Sequence, residues 1–305
     1  RFRACSFAYR PRIGAKDAVK DLTTVLQFGR FNYIVEADIC SYFEHIDHEK
    51  LLSMLSERIA DHSFLRLIRK WLRAGVLEMD GTVTHPVTGT PQGGVVSPVL
   101  ANIYLHQVLD VWFEDVVKAH CQGMAHLCRY ADDFVCAFQY RRDAMRFYRA
   151  LSKRLGKYGL ILSPAKTRVI CFSRFRKEES ERYDFLGFQF RWGFNRRGTD
   201  QVLLRTSPKR LQQSLATFTD WIRRNRHRRL PGLFHDLNIK LRGYYNYYGV
   251  IGNTRSLEAF HYQVKRLLYK WLNRRSQRHS YEWRAFAQVL YHFRLYRPRI
   301  TECPA

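Results

Sequence analysis

The chain has 305 residues, 46% of them apolar and 15% aromatic, enough to bury a sizeable core and too long for one compact layer, so two or three subdomains are expected. Its 52 lysines and arginines against 27 acids leave a net charge of +25, which self-repels unless the partner is a polyanion; nucleic acid is the leading candidate. A spanning helix is excluded, because no apolar run approaches the roughly 18 residues that one needs, and no signal peptide is present. The seven cysteines make an odd number with no C-x-x-C pair, which reads as reduced thiols of a cytosolic protein rather than zinc ligands. A first residue Arg1 in place of Met marks the expectation of a fragment of a longer polypeptide.

Residues 1–14 interleave Arg1, Arg3, Arg10 and Arg12 with Phe2, Phe7 and Tyr9, a basic loop able to lie along phosphates or a solvated leader. From Ala15, apolar residues recur at helical spacing and stop near Phe28-Gly29. Phe31 to Ile39 reads as a strand that carries Asp38 at its end, followed by Ser41-Tyr42-Phe43. Asp47 is placed to cap a helix through Leu51, Leu55 and Ile59, and a second helix with a basic face covers 63–74. His45 and His48, three apart, read as structural rather than as a metal pair.

Residues 75–94 alternate short β-like pieces with glycine and proline and end in Pro91-Gln92-Gly93-Gly94. Ser97-Pro98 is read as cap and first turn of a helix to about Val117. A hairpin follows, 125–130 and 134–139, with Asp132-Asp133 at its turn. Then come a helix from Arg142 to Tyr158 stopped by Gly159, a strand-turn-strand unit over 160–172, and a further strand element at Phe185–Phe190. This order is that of an α+β fold with helices on one face of an antiparallel sheet. After about Arg205 the β signal ends, and segments 207–225, 233–248, 254–273 and 281–292 read as basic, aromatic helices. Tyr244, Tyr245, Tyr247 and Tyr248 fit a bundle core better than a base-stacking platform, since four in such a run cannot all face one way.

An Asp-Asp pair in a turn is a common polar hairpin. Asp38, 94 residues upstream of Asp132 at the end of another strand, changes that reading. Antiparallel neighbours would bring the three acids together, and an acidic cluster inside a basic protein suits two Mg²⁺ ions, or Mn²⁺, for in-line phosphoryl transfer. Without a cation the carboxylates would repel one another and be partly protonated.

The segments FNYIVEADICSYFEHID (31–47), TPQGGVVSPVLANIYL (90–105), RYADDF (129–134), GLILSPAKT (159–167) and FLGF (185–188), in this order, resemble the motifs of reverse transcriptases. CSFAYRP (5–11) and LRGYYNYYGVIGNTRSLEAF (241–260) resemble the bacterial group II intron-encoded type, and the likeness covers essentially the whole chain. It implies a right-hand polymerase: partial, mostly helical fingers at 1–30 and 55–90, a palm at 31–54 and 91–200, and an all-helical maturase-type thumb at 205–305.

It implies Asp38, Asp132 and Asp133 as metal ligands, Phe43 as the aromatic that selects deoxynucleotides, and Gln92 and Gly93 at the incoming nucleotide. Lys166 would give a proton to pyrophosphate, Leu186 and Gly187 would grip the primer, and Arg10 would meet template or triphosphate. The implied partners are an RNA template, a DNA primer, deoxynucleoside triphosphates and structured intron RNA, in a bacterial cytoplasm. The family also has a fingers segment upstream of Cys5 that this sequence does not include, and Cys40-Ser41 replaces a more usual Lys-Gly. No DNA-binding or endonuclease segment follows Ile300, so the expectation widens to an endonuclease-lacking intron enzyme, a domesticated relative, an RNA-folding maturase, or the polymerase module of a CRISPR integrase fusion.

Overall fold

The computed structural model describes residues 2–74, the strands at 76–77 and 83–84, and residues 88–90, 94–176, 178–195, 197–275 and 280–302. Helix α1 (Ala15–Phe28) buries Ala18, Val19, Leu22 and Leu26 along one face, the stripe its spacing predicts. Strand β1 (Tyr33–Ala37) stops one residue short of Asp38 rather than reaching Ile39. Beyond Ala37 the backbone is held by the 161–163 loop instead: Ser163 N–H donates to the Asp38 carbonyl and Cys40 N–H to the Ile161 carbonyl, both at 2.8 Å. The strand expected at 160–162 is therefore a single bridge, Ile39 to Leu162.

Helix α2 (His48–Ser56) is capped as expected, the Asp47 carboxylate accepting from Lys50 N–H, and α3 (His62–Arg73) is capped by Asp61. Strands β2 (Val76–Leu77) and β3 (Val83–Thr84) pair antiparallel. In α4 (Ser97–Leu105) the cap position is held by Val96, not Ser97, because the Val96 carbonyl takes the first bonds, from Val99 and Leu100. The regular helix expected to Val117 ends at Leu105 and widens into π-type turns at His106–Val111 and Phe113–Val117 before a last turn, α5 (Lys118–His120).

Strands β4 (Ala125–Tyr130) and β5 (Asp133–Phe138) form the hairpin, followed by α6 (Arg141–Lys157) and β6 (Arg168–Cys171). They join β1 in a sheet of order β4-β5-β1-β6, antiparallel throughout. Helix α6 packs on β1, β5 and β6 over a core that includes Val35, Phe113, Cys136, Phe138 and Phe147, and α1 packs against β4.

Strands β7 (Tyr183–Phe185), β8 (Phe188–Phe194) and β9 (Asp200–Thr206) form a three-stranded sheet. β9 was not expected from the sequence; it buries Val202, Leu204 and Thr206 at every second residue. The chain divides into two compact units, Arg1–Leu186 with Trp192–Val202, and Gly187–Arg191 with Leu203–Ala305. The second unit holds α7 (Pro208–Asn225), α8 (Leu230–Tyr248), α9 (Thr254–Leu272) and α10 (Trp283–His292) around Ile222, Leu237, Leu241, Val264 and Phe286. Tyr245 is wholly buried there and Tyr244 stacks on Phe260 at 3.7 Å, but Tyr247 is 41% exposed, so the core reading fails for that ring. Among the described residues no helix is long and apolar enough to cross a membrane.

Candidate active site

The hairpin turn is two residues long, Ala131 and Asp132, between the paired Tyr130 and Asp133. Ala131 adopts φ +57°, the left-handed region that such tight hairpin turns draw on and that residues with a Cβ adopt at a cost. Asp133 therefore begins β5 and is exposed, whereas Asp132 sits half-buried in the turn. Ala37 pairs with Phe134 across β1 and β5, which places Asp38 beside the start of β5. The sheet thus brings together the acids that lie 94 residues apart in sequence.

Lys166 closes the site. The turn at 163–166, held by Thr167 Oγ1 donating to the Ser163 carbonyl at 2.7 Å, sets Lys166 Nζ 2.7 Å from Asp38 Oδ2. That ion pair raises the Lys166 pKa. Burial pushes the Asp132 carboxyl above the usual carboxylate range, and the negative charge of Asp38 pushes it further. A cleft of about 350 Å³ opens here, lined among others by Asp38, Asp133, Lys166, Glu36, Arg168 and Asp184. Glu36, whose pKa burial also raises, pairs with Arg168 at 3.0 Å.

Among the described residues no three His, Cys, Asp or Glu side chains stand as a ready group of metal ligands, and the Asp38 carboxylate holds an ammonium. The donor chemistry nonetheless fits Mg²⁺, a hard ion that takes one or two carboxylates and completes its shell with water and substrate phosphate. Asp132, a half-buried carboxylate whose proton affinity is raised by burial and by the charge of Asp38, is one that a cation stabilises.

Phe43 lies on a 3₁₀ turn (Tyr42–Glu44), partly buried against the core; Tyr42 beneath it donates its hydroxyl to the Ala101 carbonyl at 2.5 Å. Arg10 is tied into its own loop, donating to the carbonyls of Ser6 at 2.6 Å and Arg3 at 3.1 Å. Leu186 and Gly187 form the turn between β7 and β8 with φ of +49° and +78°, and a Cβ on Gly187 would stand 3.1 Å from the Tyr248 hydroxyl. Gln92 and Gly93 lie outside the described residues. His45 and His48 hydrogen-bond separate carbonyls, of Ser41 and Gly89 respectively.

Sequence reasoning missed Glu36 and Asp184 in the cleft. Glu36 was findable, since residues two apart on a strand share a face with Asp38. It also missed the charged side chain directly beneath the turn: Arg129 is fully buried and paired bidentately with a fully buried Asp110. The signal was there in Asp110, an acid within the otherwise apolar face of a helix.

Residues 4–190 match the family model described as "Reverse transcriptase (RNA-dependent DNA polymerase)", and residues 211–288 match that of the "Group II intron, maturase-specific domain". The chain is similar to an uncharacterized 91 kDa protein in the cob intron of Schizosaccharomyces pombe, 41% identical over 38% of this chain and 14% of that protein. It is 40% identical to the group II intron-encoded protein LtrA of Lactococcus lactis over 35% of this chain and 17% of that one. The matched stretch thus spans under a fifth of these relatives' lengths. A telomerase structure from Candida albicans aligns with 95% of this chain and 52% of its own, at 14% identity and a TM-score of 0.49.

Proposed function

The chain belongs to the reverse transcriptase family, and from that premise we propose that it is the polymerising part of an RNA-directed DNA polymerase, which extends a DNA primer on an RNA template. The observation that carries this is the meeting of Asp38 and Asp132 at the ends of paired strands, with Lys166 held on Asp38. Asp38, Asp132 and Asp133 would hold Mg²⁺, Asp38 and Asp133 from the lining of the cleft and Asp132 from the turn beside it. The ion when bound supplies a Lewis acid at the primer hydroxyl and the phosphates. Lys166, protonated at neutral pH, offers a proton and a positive charge to the departing pyrophosphate.

Phe43 stands as the ring that excludes a ribonucleotide 2′-hydroxyl, and Gln92 and Gly93 as contacts to the incoming deoxynucleoside triphosphate. Leu186 and Gly187, held in an uncommon backbone conformation, form the turn against which the primer strand lies. Arg10 is assigned to template or triphosphate with the N–H donors its loop carbonyls leave over. In this reading the first unit comprises palm and partial fingers and the second is the thumb. A second reading, RNA folding for an intron, rests on the maturase-specific match at residues 211–288. It is compatible with the first, but a pure binding protein has no use for the carboxylates of the cleft.

The test is primer extension by the full-length protein with Mg²⁺, on RNA and on DNA templates of one sequence. Extension on RNA, lost on chelation, is expected. A protein that binds RNA tightly yet extends nothing on either template would leave the maturase reading in its place.

A further inference from the structure

The guanidinium of Arg129 has an acceptor for each of its five N–H donors, and one of those acceptors belongs to the catalytic turn. Nε and Nη2 bond the two oxygens of Asp110, each at 2.6 Å. Nη2 also reaches Ser6 Oγ at 2.9 Å, and Nη1 reaches Asn102 Oδ1 at 2.8 Å and the Ala131 carbonyl at 2.9 Å. Around it, Asn102 donates onward to the Ala8 carbonyl at 3.1 Å, and His106 Nδ1 lies 3.1 Å from Asp110 Oδ2. The backbone of Arg129 is tied on both sides to the N-terminal loop, accepting from Phe7 N–H and donating to the Cys5 carbonyl.

Two segments far apart in sequence, the N-terminal loop at Ser6 and the helical stretch from Asn102 to Asp110, therefore converge on one buried charge beside the turn, and what they hold is a strained residue. A non-glycine residue at φ +57° persists only where its surroundings over-determine it. Because the peptide unit is planar, fixing the Ala131 carbonyl fixes the peptide plane from which Asp132 projects. We propose that Arg129 is a positioning residue: through the Ala131 carbonyl, it locks the turn that aims the Asp132 carboxylate, and the Asp110–Asn102–Ser6 cage holds the guanidinium in register for that task. This rests on the reading of Asp132 as catalytic. A lysine would satisfy the charge of Asp110, but a single ammonium cannot span both the carboxylate and the turn as a planar fork does.

The experiment compares Arg129→Lys, Arg129→Lys with Ala131→Gly, and His106→Leu in the full-length protein, by steady-state primer extension and thermal melting. His106 touches Asp110 and not the turn, so His106→Leu lowers the melting temperature and leaves kcat unchanged. Arg129→Lys lowers kcat about tenfold to a hundredfold, the scale of an ångström-size misplacement, with KM for the nucleotide within about twofold. Adding Ala131→Gly, which frees the turn from left-handed strain, recovers most of that loss without restoring the melting temperature.

Arg129→Lys with wild-type kcat per folded molecule, or a kcat loss that Ala131→Gly leaves untouched, overturns the proposal. Should Arg129→Lys fail to fold, Ala131→Val tests the same lock, since a β-branched side chain opposes a positive φ. It should lower kcat more than Ala131→Gly in the wild-type background, and equal rates overturn the proposal. Asp132→Asn in the same assay keeps the two readings apart: if it extends normally, the catalytic reading fails, whatever Arg129 does.

Discussion

The two units of this chain treat charge in opposite ways. In the first, acids and bases are matched in pairs: Arg129 with Asp110 in the interior and, nearer the surface, Arg168 with Glu36, Lys166 with Asp38, and Glu49 between Arg69 and Arg73. In the second, residues 205–305 carry 21 lysines and arginines against 5 acids, so matching is impossible for most of them. There several of the cations lie over aromatic rings. Arg242 and Arg299 each sit 5.4 Å from the Tyr296 ring, and Lys240 sits 5.3 Å from Trp221. A ring holds a cation's stem in place without cancelling its charge, so the field stays available to phosphate. The first unit, by contrast, sets Lys166 on a carboxylate that a harder, doubly charged cation would bind better. One unit is built around a local negative site and the other around a diffuse positive one, which is the division of labour expected of catalysis and strand-holding.

The sharpest way to break that division is Asp132→Asn in the full-length protein. Primer extension should fall by about a thousandfold or more, the scale of several kcal/mol of lost transition-state stabilisation, while RNA affinity changes by less than about twofold. The two readouts are a gel-based extension assay and filter binding at fixed salt. An equal fall in both would mean that the acidic site and the basic surface are not separable. Next in size is Phe43→Ala. A ring that only blocks a hydroxyl gives discrimination of about a hundredfold, so the ratio of deoxy- to ribonucleotide kcat/KM should fall by up to that factor. Unchanged selectivity with a lower melting temperature would return Phe43 to the core, which it does contact.

A smaller effect is expected on the basic side. Arg224 and Arg229 are exposed in the second unit. Replacing both with glutamine should flatten the dependence of RNA affinity on salt by about 0.7 in log–log slope for each phosphate that is no longer neutralised, and leave kcat alone. If the slope is unmoved, the cations that meet RNA lie elsewhere on the bundle.

How far these sites were legible in sequence follows from what each depends on. The strands β1 and β5 announce themselves by β-branched and aromatic residues, and Asp38 and Asp132 stand out because acids in such runs are rare. Asp47 was legible as a cap, because capping is a contact between near neighbours. Lys166 was legible only through resemblance, for its partner Asp38 is 128 residues away. Asp184 joins the cleft through tertiary packing that no local pattern encodes. Arg129 looked like one more residue of a hairpin flank, since the acceptors that hold its guanidinium in place lie 19 to 123 positions away. The π-type turns were invisible because the apolar spacing of an α-helix continues through them.

The mildest prediction sets the two regions against each other by pH. His261 on α9 has its Nδ1 3.0 Å from the hydroxyl of Tyr245. Burial, helped by the charges of Lys265 and Arg297, holds its pKa down to about 4. In the unfolded chain a histidine titrates near 6.5, so between those values the unfolded state binds more protons than the folded one. The stability due to a neutral His261 is therefore complete above about pH 6.5 and is lost as the pH falls towards 4. Asp132 has the opposite sign. Its carboxyl pKa is raised by burial, so its cost grows as the pH rises through the carboxylate range, and acid relieves it. His261→Gln keeps a hydrogen-bonding group without a titration, and should cut the drop in thermal midpoint between pH 7.5 and pH 5 by a few degrees. Asp132→Asn should instead raise the midpoint at pH 7.5 without Mg²⁺ and blunt the stabilisation that added Mg²⁺ gives. If both variants shift the profile in one direction, the contrast between a site that wants a cation and a bundle that excludes a further one is wrong.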